Sequence, residues 1–221
     1  MELTKQYINV VRNGVFPSNT YLLKSPLNNA CLLIDPGLDT RAIDDKITEL
    51  NLMPVAIVCT HGHFDHIGSV SYFKTKFDIP YYLHEADLKL SKSANFFLKI
   101  AGIDLQIHTP IPDILFKGKQ DTISVDVFNL SVYNFPGHSA GSCVIKYDDY
   151  LFSGDIIYKN GLGFNNFPGE DKRKLKASIK EIFTTFSGNS CILPGHGDSE
   201  YLNNIIKQNE GLKQFLAIED A

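Results

Sequence analysis

Apolar residues in this chain come in short runs separated by turn chemistry, and the period of each run predicts an element. Residues 20–24 (Thr-Tyr-Leu-Leu-Lys) and 30–34 (Ala-Cys-Leu-Leu-Ile) read as strands, with Ser25-Pro26-Leu27-Asn28-Asn29 as the turn between them. Asp35-Pro36-Gly37 then breaks the second strand. Ile43, Ile47 and Leu50, spaced four and three apart, predict an amphipathic helix over 40–51. The unbroken run 55–59 (Val-Ala-Ile-Val-Cys) fits a strand covered on both faces. A helix is expected to start near Asp65, a good N-cap residue, with Ile67, Val70, Phe73 and Phe77 as its apolar stripe.

Residues 86–101 read as helical through Leu90, Phe97, Leu98 and Ile100, and 107–112 as loop. From 122 to 154 the pattern is strand-rich, with Asp148-Asp149 as a hairpin turn between 144–147 and 150–152. Leu175, Ile179, Ile182, Phe183 and Phe186 carry a helix over about 171–186; the strand 191–193 and a polar helical tail follow. Strands on each side of interspersed helices suggest two packed sheets with helices on their outer faces, and the pattern by itself supports α/β or α+β. No linker or internal repeat divides the 221 residues, so 1–221 is expected to form a single domain.

Composition narrows the function. Hydrophobic residues make up 43% and charged residues 21%, the balance of a globular protein in water. There are 21 basic and 25 acidic residues, a net charge of −4, which leaves no basic footprint for nucleic acid. Lys172-Arg173-Lys174 reads as a solvated helix face. Cys31, Cys59, Cys143 and Cys191 sit apart in apolar stretches with no C-x-x-C pair; they read as small core residues and suit a reducing compartment. Met1–Gln6 lacks the apolar stretch of a signal peptide, and no apolar run nears the roughly 18 residues of a membrane span. A cytoplasmic protein with no membrane or nucleic-acid partner is expected; nothing sets its oligomeric state.

The candidate chemistry is concentrated in Thr60-His61-Gly62-His63-Phe64-Asp65-His66, directly after a buried strand. Along extended backbone, alternate side chains share a face, so His61, His63 and Asp65 can point one way. The chain then turns into a helix, which redirects His66. Four donors in six residues can serve two adjacent cations, with Gly62 and Gly68 expected to let the backbone pass close to them. At this composition the four positions coincide by chance in roughly one sequence in 2,000. Three further donors each end a strand beside glycine: His138 in Pro136-Gly137-His138-Ser139, Asp155 in Ser153-Gly154-Asp155 and His196 in Pro194-Gly195-His196-Gly197. His84 and His108 lack that context and read as ordinary histidines, though His84 also follows a strand. Asp35 is either a turn residue or a partner that orients a histidine.

This ordered set resembles the metallo-β-lactamase superfamily, and the likeness runs from Asn19-Thr20-Tyr21-Leu22 and Leu33-Ile34-Asp35-Pro36-Gly37 to His196. The resemblance implies an α/β fold (α+β in some schemes), a four-layer αββα sandwich with the site at one edge of the sheets. It implies that His61, His63 and His138 bind one metal, that Asp65, His66 and His196 bind a second, and that Asp155 bridges both, Asp65 and Asp155 being catalytic. The ligands suit zinc, the expected metal, and also iron or manganese. Because true β-lactamases lack the bridging aspartate, antibiotic hydrolysis is not expected. The spacing and Pro168-Gly169-Glu170-Asp171 look most like the small glyoxalase II-like hydroxyacylglutathione hydrolases.

The implied activity is hydrolysis of a small-molecule thioester such as S-lactoylglutathione by a metal-bridging hydroxide, since a metal lowers the pKa of its water to roughly 7. Two departures qualify the substrate. Only 25 residues follow His196, too few for the C-terminal glutathione-binding helical domain of the long enzymes. The small relatives carry an arginine where this chain has Gly163-Phe164-Asn165-Asn166-Phe167. Lys159, Phe164 and Phe167 are the substrate-binding candidates, and the two phenylalanines favour a more apolar acyl or thiol group. The alternatives are a mononuclear iron persulfide dioxygenase, a lactone or phosphodiester hydrolase of the same fold, and a non-catalytic metal-binding scaffold.

Overall fold

A computed structural model of the chain describes residues 7–164 and 167–218. Met1–Gln6, read above for targeting, and Asn165-Asn166, in the loop that lacks an arginine, lie outside the described residues. Two sheets form. The first has the order β1 (Ile8–Arg12), β2 (Asn19–Lys24), β3 (Ala30–Ile34), β4 (Met53–Val58), β5 (Tyr81–His84), β6 (Ile114–Phe116). The β1-β2-β3 pairs are antiparallel, and β3 to β6 are parallel. The second sheet has the order β12 (Glu200–Tyr201), β11 (Cys191–Pro194), β10 (Tyr150–Gly154), β9 (Cys143–Tyr147), β8 (Phe128–Asn134), β7 (Gln120–Val125), with β10 and β11 parallel.

Side-chain parity builds the layers. Along β2 and β3, Leu23, Leu32 and Ile34 point between the sheets, where they meet Leu130, Val132, Ile145 and Phe152 of the second sheet. Their neighbours Leu22, Cys31 and Leu33 point outward and are covered by Ile43 and Ile47 of α1 (Thr40–Glu49) and by Val70 and Phe73 of α3 (Val70–Phe77). On the far face, Val144, Leu151 and Ile192 are covered by Leu175, Ile179 and Ile182 of α6 (Lys172–Thr185). The strands are buried on both faces because helices lie on both sides, which is the αββα sandwich.

Several elements differ from the expectation. The helix at the histidine motif is capped two residues earlier than expected and is broken: α2 spans Phe64–Ile67, His63 takes the cap position without a side-chain cap bond, the Asp65 carboxylate faces the histidines instead, and α3 begins anew at Val70. The region 86–101 is broken into a 3-10 turn (Glu85–Asp87), α4 (Leu88–Lys92) and α5 (Ala94–Ile100). The tail is amphipathic, not polar: α7 (Leu202–Gln208) and α8 (Glu210–Ala217) bury Leu202, Ile205, Leu212 and Phe215 against the second sheet's helix layer. The edge strand β1 has no counterpart in the sequence reading. Cys31 and Cys59 pack in the first outer layer and Cys143 between the sheets, as free thiols. Among the described residues no helix is long and apolar enough to cross a membrane.

Candidate metal centre

The C-terminal ends of β4 and β10, and the loops after β8 and β11, open on one edge of the sandwich, and each delivers donors there. His138 Nε2 lies 3.3 Å from His61 Nε2 and 2.8 Å from His63 Nδ1, so three ring nitrogens face one another. Tetrahedral coordination with metal–nitrogen bonds of about 2.0–2.1 Å requires edges of about 3.3 Å, which the His138–His61 edge matches, while the His138–His63 edge is shorter. Asp65, His66, Asp155 and His196 form a second cluster beside it. Asp155 lies between the two. Its Oδ1 is 3.3 Å from His66 Nε2, and its Oδ2 is 3.2 Å from His196 Nε2 and 3.7 Å from His138 Nε2. Asp65 Oδ2 completes the second cluster at 3.3 Å from His66 Nε2 and 3.2 Å from His196 Nε2.

The outer ring nitrogens explain why the inner ones are free. Thr60 donates its N–H to Asp35 Oδ1 at 2.7 Å and its hydroxyl to Asp35 Oδ2 at 2.6 Å, so its oxygen accepts from His61 Nδ1 at 3.1 Å. His66 Nδ1 donates to Asp35 Oδ2 at 3.0 Å, and His138 Nδ1 to the Gly163 carbonyl at 2.9 Å. His196 Nδ1 donates to the Pro17 carbonyl. Each bond assigns the tautomer and leaves a lone pair aimed inward. Asp35 is thus both a turn residue, at φ 51°, and the partner that orients His66.

Three observations fit divalent ions. Buried polar atoms are nearly always hydrogen-bonded, yet His66 Nε2 and Asp155 Oδ1 have no hydrogen-bond partner although they lie 3.3 Å apart. Asp35, Asp65, Asp87 and Asp155 are all buried, and no lysine or arginine pairs with them among the described residues. Carboxylates buried without a lysine or arginine are costly, and two dications would balance them. The donors are imidazole and carboxylate, a set that zinc, iron and manganese accept.

Protonation follows the same pattern. Burial drives the His61 and His63 pKa down, His63 to about 3, with neighbouring histidines adding to the effect. Burial also opposes charge on His66, His138 and His196, but carboxylates overcome it. Asp65 and Asp155 hold His66 well above the usual value, Glu170 and Asp155 raise His138, and Asp155 with Asp65 lifts His196 to about 10. Burial works against ionisation of Asp65 and Asp155, yet His66 and His196 hold both carboxyls below the usual range. Without cations, therefore, protons on imidazoles balance the carboxylates of the second cluster.

Sequence reasoning missed the residue that joins the two loops. Asp87 is buried and accepts from Gly62 N (2.9 Å), Ser139 Oγ (2.7 Å) and Gly141 N (2.7 Å), so it ties the His61–His63 loop to the His138 loop. Glu170, from the Pro-Gly-Glu-Asp segment, stands behind His138 with Oε1 3.4 Å from Nδ1, and its Oε2 accepts from Phe167 N. Asn19 and Tyr21 reach across from the first sheet to the Pro194 carbonyl, which fixes the His196 loop. Gly195 and Gly163 let backbone approach the cluster: a Cβ would lie 2.0 Å from Asp155 Oδ1 at Gly195 and 1.8 Å from the Asp155 carbonyl oxygen at Gly163. Gly62 and Gly68 instead make room for Asp87 and Leu38.

A cavity of about 500 Å³ opens on both clusters. Its walls are apolar, with Phe16, Phe64, Phe97, Ile100 and Phe167 prominent, and Tyr158 is the one polar lining side chain, among the described residues, that belongs to neither cluster. Lys159 and Phe164, expected to bind substrate, lie elsewhere. Lys159 turns to Glu200 at 3.7 Å, and Phe164 packs on Phe215 in the outer core. His84 caps the following 3-10 turn and His108 bonds Ser71, and neither joins a cluster.

Residues 13–196 match the model of the metallo-beta-lactamase superfamily. The chain belongs to that superfamily. The probable metallo-hydrolase YqgX of Bacillus subtilis is 33% identical over 91% of this chain and 95% of its own length. The hydroxyacylglutathione hydrolase GloC of Haemophilus influenzae is 28% identical over 86% and 90%. Among solved structures, BLEG-1, a B3 metallo-beta-lactamase, superposes with a TM-score of 0.81 at 30% identity, over 93% of this chain and 99% of its own. TTHA1623 in a di-iron-bound form superposes at 0.80 and 30% identity, over 91% and 98%. Family and cluster together make this a metal-dependent enzyme of the metallo-hydrolase type.

Proposed function

We propose that this protein is a dinuclear metal-dependent hydrolase of thioesters. The observation that carries the reading is the convergence of seven donors into two clusters that share Asp155, at the floor of an apolar cleft. His61, His63 and His138 would hold one ion, Asp65, His66 and His196 the other, and Asp155 would bridge them. The ions, when bound, supply a hydroxide at neutral pH and a Lewis acid for the scissile carbonyl. The chain's own residues do the rest. Asp35, Thr60, Gly163 and Pro17 hold four of the histidines in the binding tautomer. Phe64, Phe97 and Phe167 exclude water from the reacting carbonyl. A thiolate leaves with little protonation, which suits a cleft whose only polar side chain beyond the clusters, among the described residues, is Tyr158.

The di-iron TTHA1623 supports two ions over the mononuclear dioxygenase alternative, and GloC supports the thioester over a lactone or phosphodiester. Zinc is the expected metal, iron and manganese being compatible. The test is a panel on the metal-loaded protein: S-lactoylglutathione and other glutathione thioesters, coenzyme A thioesters, a lactone, bis-p-nitrophenyl phosphate and a β-lactam, with oxygen uptake on glutathione persulfide. Thioesters should be the class turned over most efficiently. Efficient turnover of another class with no thioester cleaved would overturn the assignment.

A further inference from the structure

The cavity has a second, smaller arm. A space of about 260 Å³ shares His63, His138 and Phe97 with the larger one. The two arms differ in chemistry. Around the larger arm no described lining residue is a lysine or arginine, and beyond the clusters the wall is phenylalanine, isoleucine, alanine and proline with one tyrosine. The smaller arm carries Lys89, Ser93 and Ser139, and also Asp87, whose carboxylate is taken up by Gly62 N, Ser139 Oγ and Gly141 N. Lys89 is exposed and forms no ion pair among the described residues. Away from Tyr158 and the clusters, a hydroxylated or charged group would lose its hydration in the larger arm without replacement, whereas an apolar one gains by leaving water. An anion, conversely, finds its one cation in the smaller arm. The volume of the larger arm falls within the range of small-ligand pockets.

We propose that the scissile thioester lies across His63 and His138 with an apolar, unhydroxylated acyl chain in the larger arm and an anionic thiol carrier directed to Lys89. This rests on the thioesterase reading and deepens it. In the reaction the acyl C–S bond breaks and a C–O bond to water forms, giving a carboxylate, a thiol and one proton. Lys89, on α4, would supply the cation that the sequence of the 163–167 loop does not. Ile100 and Phe97, one turn apart on α5, set the acyl preference.

The test is a matched series of thioesters on the metal-loaded protein: acetyl, butyryl, hexanoyl and lactoyl, each on N-acetylcysteamine, glutathione and coenzyme A. Burial of each methylene is worth about fourfold in kcat/KM, approaching about 200-fold from acetyl to hexanoyl. Lactoyl should fall below butyryl. Ile100→Asp, at a half-exposed position, should flatten the chain-length slope with metal content unchanged. Lys89→Glu should raise by about tenfold the ratio of KM for a coenzyme A thioester to KM for the N-acetylcysteamine thioester of the same acid. Thioesters cleaved with a flat slope, or with lactoyl preferred, would overturn this inference and leave the thioesterase reading standing. A steep slope with an unchanged Lys89→Glu ratio would overturn the placement of the carrier. No cleavage of any thioester would overturn both.

Discussion

Asp87→Ala should loosen the metal centre although Asp87 is not among its donors. The carboxylate receives three bonds at 2.7–2.9 Å from two loops that are 52–54 residues away or 25 residues away along the chain. Its removal leaves the buried N–H groups of Gly62 and Gly141 unpaired, at about 1–3 kcal/mol each. Ser139 keeps a partner, since its hydroxyl also meets Ser142 at 2.8 Å. Against this stands relief from burying a carboxyl whose pKa burial itself raises, the bonds from Ser139, Gly62 and Gly141 only partly offsetting it. A net loss of about 3 kcal/mol follows. The Gly62 and Gly141 loops then lose their common anchor, and metal affinity should fall about 10–100-fold, as when a partner of a ligand is removed. Ser139→Ala, which keeps both N–H bonds, should cost under about 1 kcal/mol. Urea unfolding reads the stability, and competition with a chromophoric chelator reads the affinity. If Asp87→Ala binds metal within twofold of the parent and unfolds within about 0.5 kcal/mol of it, Asp87 does not organise the centre.

Gly195→Ala places a methyl 2.0 Å from Asp155 Oδ1 and 2.6 Å from His66 Cε1; turnover should drop at least about 100-fold with the circular dichroism unchanged, and full activity would contradict the tight approach. The metal-free protein should lose stability as pH rises. His196 in the fold is raised to about 10, chiefly by Asp155 working against burial, so its contribution is fully present below about 6.5 and is lost toward pH 10. Metal loading should abolish that loss, because the ions replace the protons; a flat apo profile from pH 6.5 to 10 in denaturant titrations would contradict it.

The donors were legible because each announces itself locally, as a ligand-type residue at a strand end beside glycine, in Pro-Gly-His, Ser-Gly-Asp or the clustered first motif. The inner strands β2, β3 and β4 of the first sheet were legible through the apolar runs that two covered faces require, while its edge strands β1 and β6 were not, and the layer order came from the resemblance. Asp87 was not legible, since its partners lie far along the chain; the available signal was an acid shortly after the strand that ends at His84, the same context that marks the ligands. Lys159 and Phe164 misled because closeness in sequence to Asp155 says nothing of direction once the chain reverses, with Tyr158 bridging to Gly161. The tail was read as polar, yet Leu202, Ile205, Leu212 and Phe215 fall on one helical face each and pack into the outer core.

Elemental analysis of protein purified without chelator tests the two-cluster account most directly, run in parallel on the parent and on His196→Ala. The parent should hold about two transition-metal equivalents per chain and the variant about one, with turnover largely lost. A firm value of one in both proteins, with equal activity, would show that Asp65, His66 and His196 hold no second ion.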